Sequence, residues 1–234
     1  KKLIFSNPVI GIDFEALMGP RPPVRKRVML TVEELCILLK DIEDIGVENA
    51  LAFRILLATC VRSIELSKAR WEDVDLENGA WWVPDTVVKT RNGFLVPLTP
   101  TVVGWFRELK ELAGGSDWVL PCRVERRRRR HGGDINVGST TLWAAITRAF
   151  ERGDIEIRRF TPHDTRSTAK GHMRNLGVTR EISEIALNHV LQGMEAIYDV
   201  REEIPERRDA LERWASFITK CEAASRPKLQ QLAA

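Results

Sequence analysis

The sequence has a single tyrosine and lacks the short motifs that mark several large enzyme classes. Tyr198 stands alone against seven tryptophans and eight phenylalanines. There is no phosphate-binding GxxxxGK[ST] loop, no HExxH motif and no cysteine–histidine spacing typical of zinc sites. No cluster of Asp and Glu resembles a two-metal site. The sequence therefore predicts a protein that works without a metal ion, a cofactor or a nucleotide-binding loop.

Long apolar runs and paired cysteines are also missing. No apolar run reaches 18 residues, so no transmembrane helix is predicted. The first residues, KKLIFSNPVIG, do not form the continuous apolar segment of a secretory signal. Four cysteines are scattered without a CxxC pair, which predicts buried, reduced thiols and a cytoplasmic protein. They are Cys36, Cys60, Cys122 and Cys221.

Charged residues are unevenly distributed, although the totals nearly balance at 36 Lys+Arg and 33 Asp+Glu. Residues 21–28 (RPPVRKRV) and 123–131 (RVERRRRRH) are strongly basic, whereas residues 181–212 carry nine acids and three bases. This segregation predicts that one surface faces an anionic polymer while another does not. A flexible, solvated loop is the alternative interpretation of the run 126–130.

The pattern of helix and strand signals predicts a mainly α domain with a small antiparallel β-sheet (α+β). Residues 1–30, rich in proline and basic side chains, are typical of an interdomain linker. One domain is expected over 31–223, followed by a flexible tail at 224–234. Thr31 and Glu34 form a capping-box pattern at the first helix, and 49–61 is apolar on all sides, which predicts a buried helix.

The second half of the domain is predicted to be helical around a short hairpin. Strands are expected at 79–84 and 94–99, with Asn92-Gly93 as a turn signal between them. The segment 121–138 is expected to be a basic loop. A helix is predicted from Pro100 to about Ala113, and further helices near 139–152, 164–176, 179–188, 193–200 and 206–223.

Several polar residues stand in unusual places and share a chemistry. Arg62 directly follows the apolar helix, where a bare cation is costly to bury. His163 and Arg166 lie three apart at the start of a helix, where phosphate groups bind well. These residues, together with Lys89, His189 and Tyr198, suit the attack of a tyrosine hydroxyl on a phosphodiester. Two arginines bind the phosphate oxygens, and lysine and histidines transfer protons.

In this order the residues resemble the tyrosine recombinase (phage integrase) family, and prophage and genomic-island integrases in particular. LLATCVRSIELSKARWEDVD resembles the first-arginine motif, and VVKTRNGFLVPLT resembles the lysine hairpin. FTPHDTRSTAKGHMRNLGV and ALNHVLQGMEAIYDV resemble the second-arginine and tyrosine motifs. The resemblance extends from residue 31 to about 218. Leu187-Asn188-His189 departs from the Leu-Gly-His that is common in the family.

The resemblance implies a role for each catalytic candidate. Arg62 and Arg166 would bind the scissile phosphate, and Lys89 would act as general acid with help from His163 and His189. Tyr198 would form a 3′-phosphotyrosine bond, so neither ATP nor a metal is needed. Glu65, one turn from Arg62, would orient that guanidinium. His131 and His172 match no motif and are expected at the surface or in loops.

The resemblance also implies partners and a location. The expected substrate is double-stranded DNA carrying an attachment site, with a tetramer of the protein assembled on it in the bacterial cytoplasm, at the nucleoid. An upstream DNA-binding domain is expected before the linker. The candidate DNA-binding residues are Arg25, Lys26, Arg27, Arg91, Arg126, Arg127 and Arg128.

Two other functions stay open at the level of sequence. A type IB-like DNA topoisomerase uses similar chemistry but rejoins the same strand, and a catalytically inactive DNA-binding regulator would keep only the fold. Considered one at a time, the candidate residues could also have purely structural roles. Arg62 would form an ion pair with Glu65, His189 would cap a helix or fill the core, and Tyr198 would pack with its hydroxyl hydrogen-bonded.

Overall fold

The computed structural model describes residues 10–20, 26–88, 92–189 and 203–225. Its helices surround a central helix, and a small sheet lies at one side, so the predicted fold class is confirmed. The helices are α1 Phe14–Met18, α2 Val32–Lys40, α3 Val47–Thr59, α4 Ser63–Ser67, α5 Pro100–Ala113, α6 Glu125–Arg130, α7 Thr141–Arg152, α8 Pro162–Asn175, α9 Arg180–Ala186 and α10 Ile204–Ser225. Short 3-10 turns cover Ile42–Ile45 and Trp71–Asp73.

Three antiparallel strands form a sheet in the order β1-β2-β3: β1 Val74–Asp75, β2 Ala80–Val83 and β3 Phe94–Pro97. Trp81 pairs with Val74 on one side and Val96 on the other. Trp81 is buried and Trp82 is exposed, the alternation expected of a strand with one solvated face. Both predicted strands are present, and β1 adds a third strand to the sheet. Residues 89–91, between β2 and β3, lie outside the described residues.

Helix α3 forms the centre of the core, because its sequence is apolar on every side. Residues 50–59 are all buried, and α5, α7, α8 and α10 pack around them. Trp214 of α10 donates its indole N–H to the Leu57 carbonyl at 2.8 Å. The charged residue within this buried stretch, Arg54, is 2.8 Å from Glu222 and 3.2 Å from Glu43. Its pairing follows from the high cost of burying an unpaired charge.

Residues 28–30, which we call the strap, run along α8 and are tied to it by hydrogen bonds. The Val28 N–H donates to Asp164 Oδ1 at 3.0 Å, and the Leu30 N–H donates to Thr168 Oγ1 at 3.0 Å. The strap leads directly into α2, where the predicted capping box is confirmed by reciprocal bonds between Thr31 and Glu34. The strap thus fixes the start of α2 against the helix that carries two of the candidate catalytic residues.

The prediction that His172 lies at the surface or in a loop is wrong. His172 is 4% exposed, and its ring stacks on Trp214 with 5.7 Å between the ring centroids. Its Nε2 lies 2.8 Å from the Leu30 carbonyl of the strap. The residue matched no motif, and only the packing of α8 against α10 and the strap brings it into the core.

The basic run was expected to lie in a loop, but it forms helix α6. Arg129 pairs with Glu125 one turn earlier at 2.8 Å, a spacing that supports a helix. Arg126 and Arg128 are exposed, and His131, which follows the helix, is exposed as predicted. The expectation of a solvated basic surface is kept, but the backbone that presents it is helical.

The remaining expectations divide between confirmed elements and residues outside the described ranges. Helices α5, α7, α8, α9 and α10 lie where helices were predicted. The helix expected near 193–200 lies outside the described residues, as does the expected tail from residue 226 onward. Cys60, Cys122 and Cys221 are buried, Cys36 is partly buried, and none of the four is in a disulfide. None of the helices in the described ranges combines the length and apolar character needed to span a bilayer.

Candidate active site

Arg62 is held at the junction between α3 and α4. Cys60 ends α3 in the left-handed conformation with φ 59°, and the chain then turns so that Arg62 precedes α4. The Glu65 carboxylate, 1% exposed, accepts from the Arg62 backbone N–H at 2.7 Å and from its Nη1 at 2.8 Å. A guanidinium has five N–H donors, so this pairing orients Arg62 and leaves other donors available for a ligand.

The first turn of α8 carries His163 and Arg166. Its start is fixed by Asp164, which is fully buried and accepts from the Thr161 backbone N–H and hydroxyl, each at 2.7 Å. Pro162 occupies the first helical position, where its missing N–H costs nothing. The positive end of this helix, together with the two side chains, makes a suitable environment for an anion.

Arg166 joins three parts of the chain at the centre of the site. It is 5% exposed and donates to the backbone carbonyls of Cys60 and Leu187. Its Nη2 also lies 3.1 Å from Nε2 of His189. Burial lowers the pKa of Arg166, and the neighbouring Arg62 guanidinium lowers it further. Because an arginine stays protonated in proteins, the site holds two positive charges close together, ready for an anionic ligand.

His189 follows α9 and is held by that helix. Asn188 adopts a left-handed conformation with φ 50°, which asparagine tolerates better than most residues. This explains how the chain departs from the family's Leu-Gly-His without losing the turn. The His189 Nδ1 lies 2.6 Å from Glu184 Oε2, and the other Glu184 oxygen contacts Lys170 of α8.

Two pKa shifts describe the electrostatics of the site. Burial lowers the pKa of His163, and the charges of Arg27, Arg166 and Arg62 lower it further, which favours the neutral form of the ring. Burial acts to raise the pKa of Glu184, but hydrogen bonds from Lys170 and His189 outweigh it and the net shift is downward. The His163 ring is therefore able to accept a proton, and Glu184 is an anion.

The phage integrase family model matches residues 28–202. The chain belongs to the phage integrase family. Prophage integrase IntZ of Escherichia coli K12 is 28% identical over 220 residues, which are 93% of this chain and 50% of that protein. Prophage integrase IntA of the same organism is 25% identical over 183 residues, 78% of this chain and 41% of that protein. The chain thus spans about half the length of these curated relatives.

Solved structures show the same fold. A lambda integrase (75–356) dimer bound to a COC′ core site has a TM-score of 0.55 at 20% identity, covering 83% of this chain and 63% of that one. The XerA recombinase has a TM-score of 0.54 at 18% identity, covering 90% and 68%. At these identities the likeness establishes the fold of the phage integrase catalytic region and no more.

Within this phage integrase fold, four of the six candidate catalytic residues are described and lie in one region. Arg166 contacts His189, and the charges of Arg62 and Arg166 both act on His163. Lys89 and Tyr198 lie outside the described residues, as do the DNA-binding candidates Arg25 and Arg91. The remaining candidates are exposed or partly exposed: Lys26, Arg27, Arg126, Arg127 and Arg128.

Sequence reasoning missed Glu184 and Lys170. Glu184 lies five residues before His189, and Lys170 lies four residues after Arg166, which places both on the helices that carry the site. That spacing was the available signal, but the turn at Asn188 had to be known before Glu184 and His189 could be seen to meet. Across the described ranges, no group of three or more His, Cys, Asp or Glu is arranged to hold a metal ion.

Proposed function

We propose that this chain is the catalytic part of a site-specific DNA recombinase that cleaves and rejoins DNA through a 3′-phosphotyrosine, for integration or excision of a mobile element. The observation that carries the proposal is the convergence of Arg62, His163, Arg166 and His189 around the first turn of α8. The membership of the phage integrase family, with prophage integrases among the relatives, supports it.

The reaction proceeds in two balanced transfers. The Tyr198 oxygen attacks the phosphorus, the bond from phosphorus to the 5′ oxygen breaks, and Lys89 gives a proton to the departing 5′ oxygen. Arg62 and Arg166 donate to the non-bridging oxygens, where negative charge concentrates. His163, whose lowered pKa favours the neutral ring, takes the phenol proton directly or through a water molecule. In the second transfer the 5′ hydroxyl of another strand attacks the phosphorus and gives its proton to Lys89, the bond from phosphorus to the Tyr198 oxygen breaks, and His163 returns a proton to that oxygen.

Double-stranded DNA with an attachment site is the proposed substrate, and a tetramer on that DNA is the proposed assembly. The solved neighbours include a lambda integrase tetramer bound to a Holliday junction and a Tn1549 integrase in complex with circular intermediate DNA. Residues 1–30 act as a linker to a separate DNA-binding domain, and the strap at the end of this linker is bonded to the catalytic domain of residues 31–223. Residues 224–234, which begin with the last two residues of α10, follow that domain. The protein works on the chromosome in the bacterial cytoplasm, at the nucleoid.

A suicide substrate tests this proposal. The probe is a duplex that spans the junction between the mobile element and the host chromosome, nicked beside the cleavage position so that the released fragment diffuses away. The wild-type chain is expected to form a covalent adduct that survives denaturing electrophoresis, and Tyr198→Phe is expected to form none. Because the chain has one tyrosine, peptide mapping of the adduct has one acceptable answer. EDTA is expected to leave the yield unchanged.

Two outcomes would favour the other functions. Specific binding of this duplex without any adduct would favour a catalytically inactive DNA-binding regulator. Relaxation of supercoiled plasmid without regard to sequence, with Tyr198 still required, would favour a topoisomerase. Trp82→Phe is a suitable control variant, because it changes an exposed aromatic residue outside the catalytic set and is expected to leave the adduct yield unaltered.

A further inference from the structure

We propose that Glu184 is a positioning residue that fixes the tautomer and orientation of the His189 ring, and that Lys170 anchors Glu184 for this purpose. The role of the ring in DNA cleavage rests on the proposed function, but the arrangement of the three side chains does not. It is carried by contacts among residues of α8, α9 and the turn that follows α9.

The proton position on His189 follows from its two partners. Arg166 Nη2 lies 3.1 Å from Nε2 of the ring, and a guanidinium donates hydrogen bonds but accepts none. The ring must therefore present the lone pair of Nε2 to Arg166, which leaves the proton on Nδ1. That nitrogen lies 2.6 Å from Glu184 Oε2, a carboxylate oxygen that accepts it. Both contacts agree on one neutral tautomer.

Glu184 holds the histidine through its backbone as well as its side chain. The His189 backbone N–H donates to the Glu184 carbonyl at 3.1 Å, and the Asn188 N–H donates to the Ile185 carbonyl at 2.8 Å. These bonds close the end of α9 so that the ring of His189 returns over Glu184. The second Glu184 oxygen contacts Lys170 Nζ on α8, which limits rotation of the carboxylate.

This arrangement prepares His189 for a phosphate. When a phosphate oxygen takes the place of the Nε2 contact with Arg166, the exposed ring takes up a proton from water at Nε2 and donates it in a hydrogen bond to that oxygen. A carboxylate at Nδ1 balances the positive charge that the ring then carries, as carboxylate–histidine pairs do in other catalytic sites. Without Glu184 the ring is free to turn or to move its proton to Nε2, where the donor would face the donors of Arg166.

An alternative is that Glu184 and Lys170 form only a surface ion pair that joins α8 to α9. The Lys170 side chain is 37% exposed, and exposed pairs contribute little to stability. This alternative predicts no effect on the ring nitrogens, so the test must measure them directly. The chain has four histidines, which makes assignment of their ring signals practical.

The experiment is nitrogen NMR of histidine-labelled, DNA-free protein, combined with the suicide-substrate assay. In the wild type, His189 is expected to show a protonated Nδ1 and an unprotonated Nε2. Glu184→Gln is expected to keep this pattern, since the amide oxygen still accepts, and Glu184→Ala is expected to lose it. Adduct formation should fall about tenfold in Glu184→Ala and by less in Glu184→Gln, the size expected for loss of one charge-assisted hydrogen bond.

The controls separate this inference from the proposed function. Glu181→Ala removes an exposed acid from the same helix and should change neither readout. In a His189→Ala background, Glu184→Ala should cause no further loss of adduct. Should Glu184→Ala fail to fold, Lys170→Met is the second variant. It removes the ammonium group that restrains the Glu184 carboxylate, at a partly exposed position, and should change the His189 ring signals and the adduct yield in the same direction but by less.

The outcomes are distinct. Adduct formation by the wild type, with a His189 pattern that is the same in Glu184→Ala, would overturn the inference and leave the recombinase proposal standing. The expected ring pattern with no adduct from the wild type would overturn the recombinase proposal and leave the positioning of His189 by Glu184 standing. A wild-type His189 protonated on Nε2 alone would also overturn the inference.

Discussion

Glu65 holds Arg62 from two sides, with one carboxylate oxygen on the backbone N–H and the other on the guanidinium. The carboxylate is almost completely buried, whereas the Arg62 side chain keeps 21% of its surface exposed. Glu65 therefore orients the guanidinium from the buried side, and a ligand can reach the exposed part of Arg62 without displacing Glu65.

Replacement of Glu65 by glutamine should slow cleavage without abolishing it. The amide of Glu65→Gln would still accept one hydrogen bond but would not pair its charge, and the difference between charged and neutral hydrogen bonds predicts a loss of about tenfold in the rate of adduct formation. Glu72→Gln is the matched control, because Glu72 also pairs with an arginine (Arg70) but is exposed. Equal rates for Glu65→Gln and the wild type would show that Glu65 does not orient Arg62 for reaction.

Arg27 should control the protonation of His163 from the strap side. Burial is the largest cause of the lowered pKa of His163, and Arg27, Arg166 and Arg62 add to it while Asp164 opposes them. Arg27→Gln removes one of the positive charges, so the pKa of His163 should rise toward its ordinary value of 6.5 without reaching it. A proton NMR titration of the histidine rings measures this.

Lys26→Gln is the control for the Arg27 titration. It removes an equal charge from the adjacent exposed position, and Lys26 is not among the causes of the His163 shift. If the two variants move the His163 pKa equally, the effect is one of overall charge, and the placement of Arg27 near the site is wrong.

Helix α6 should bind the DNA backbone without reading its sequence. Joint substitution of Arg126, Arg127 and Arg128 by glutamine should weaken DNA binding and reduce the slope of log affinity against log salt by about 0.9 for each lost phosphate contact. Arg129→Gln should have a smaller effect, because Arg129 is already paired with Glu125. Fluorescence anisotropy over a salt series measures both. If the salt dependence of DNA affinity were unchanged in the triple variant, α6 would not contact the DNA backbone.

The Glu34–Arg158 pair should stabilise the fold at neutral pH and lose its effect in acid. Bidentate hydrogen bonds from Arg158, with both oxygens at 2.6 Å, lower the pKa of Glu34 from 4.5 to about 2. Because the folded pKa lies below the unfolded one, the contribution is complete above about pH 4.5 and declines as the pH falls toward 2. Glu34→Gln keeps the capping box but not the charge, so its Tm should be lower than wild type at pH 7 and similar near pH 2.

Glu111→Gln provides the comparison for Glu34→Gln. It removes an exposed carboxylate from α5 and should leave Tm unchanged at both pH values. A deficit of Glu34→Gln that stayed constant as the pH fell would assign the effect to packing or to capping of α2 rather than to the charge.

Local signals in the sequence predicted most of the described helices and strands, and the motifs predicted that Arg62, His163, Arg166 and His189 would lie together. The apolar character of 49–61 indicated the buried helix α3, and Thr31 with Glu34 indicated the start of α2. These two features depend on residues close together in the chain, so they can be recognised without coordinates. The convergence of Arg62, His163 and Arg166 was instead implied by the resemblance of their motifs to those of the phage integrase family.

Two of the features that escaped prediction depend on a tertiary contact or on a turn. His172 is buried only because Trp214 and the strap cover it. Glu184 meets His189 only because Asn188 reverses the chain. Helix α6 is a different case. Its arginine side chains repel one another, but the salt bridge between Glu125 and Arg129, one turn apart, supports the helix. That spacing was not used in the prediction of a loop. For His172 and Glu184, a tertiary contact or a turn, rather than local propensity, determines the result.

The strap has a mechanical consequence. The Val28 N–H donates to the buried carboxylate of Asp164, which caps the start of α8. A displacement of the chain ahead of Val28 is therefore expected to act first on the turn that bears His163 and Arg166. Movement of the segment ahead of the strap should therefore also move the candidate site, so the position of that segment and the geometry around Arg166 are expected to be coupled.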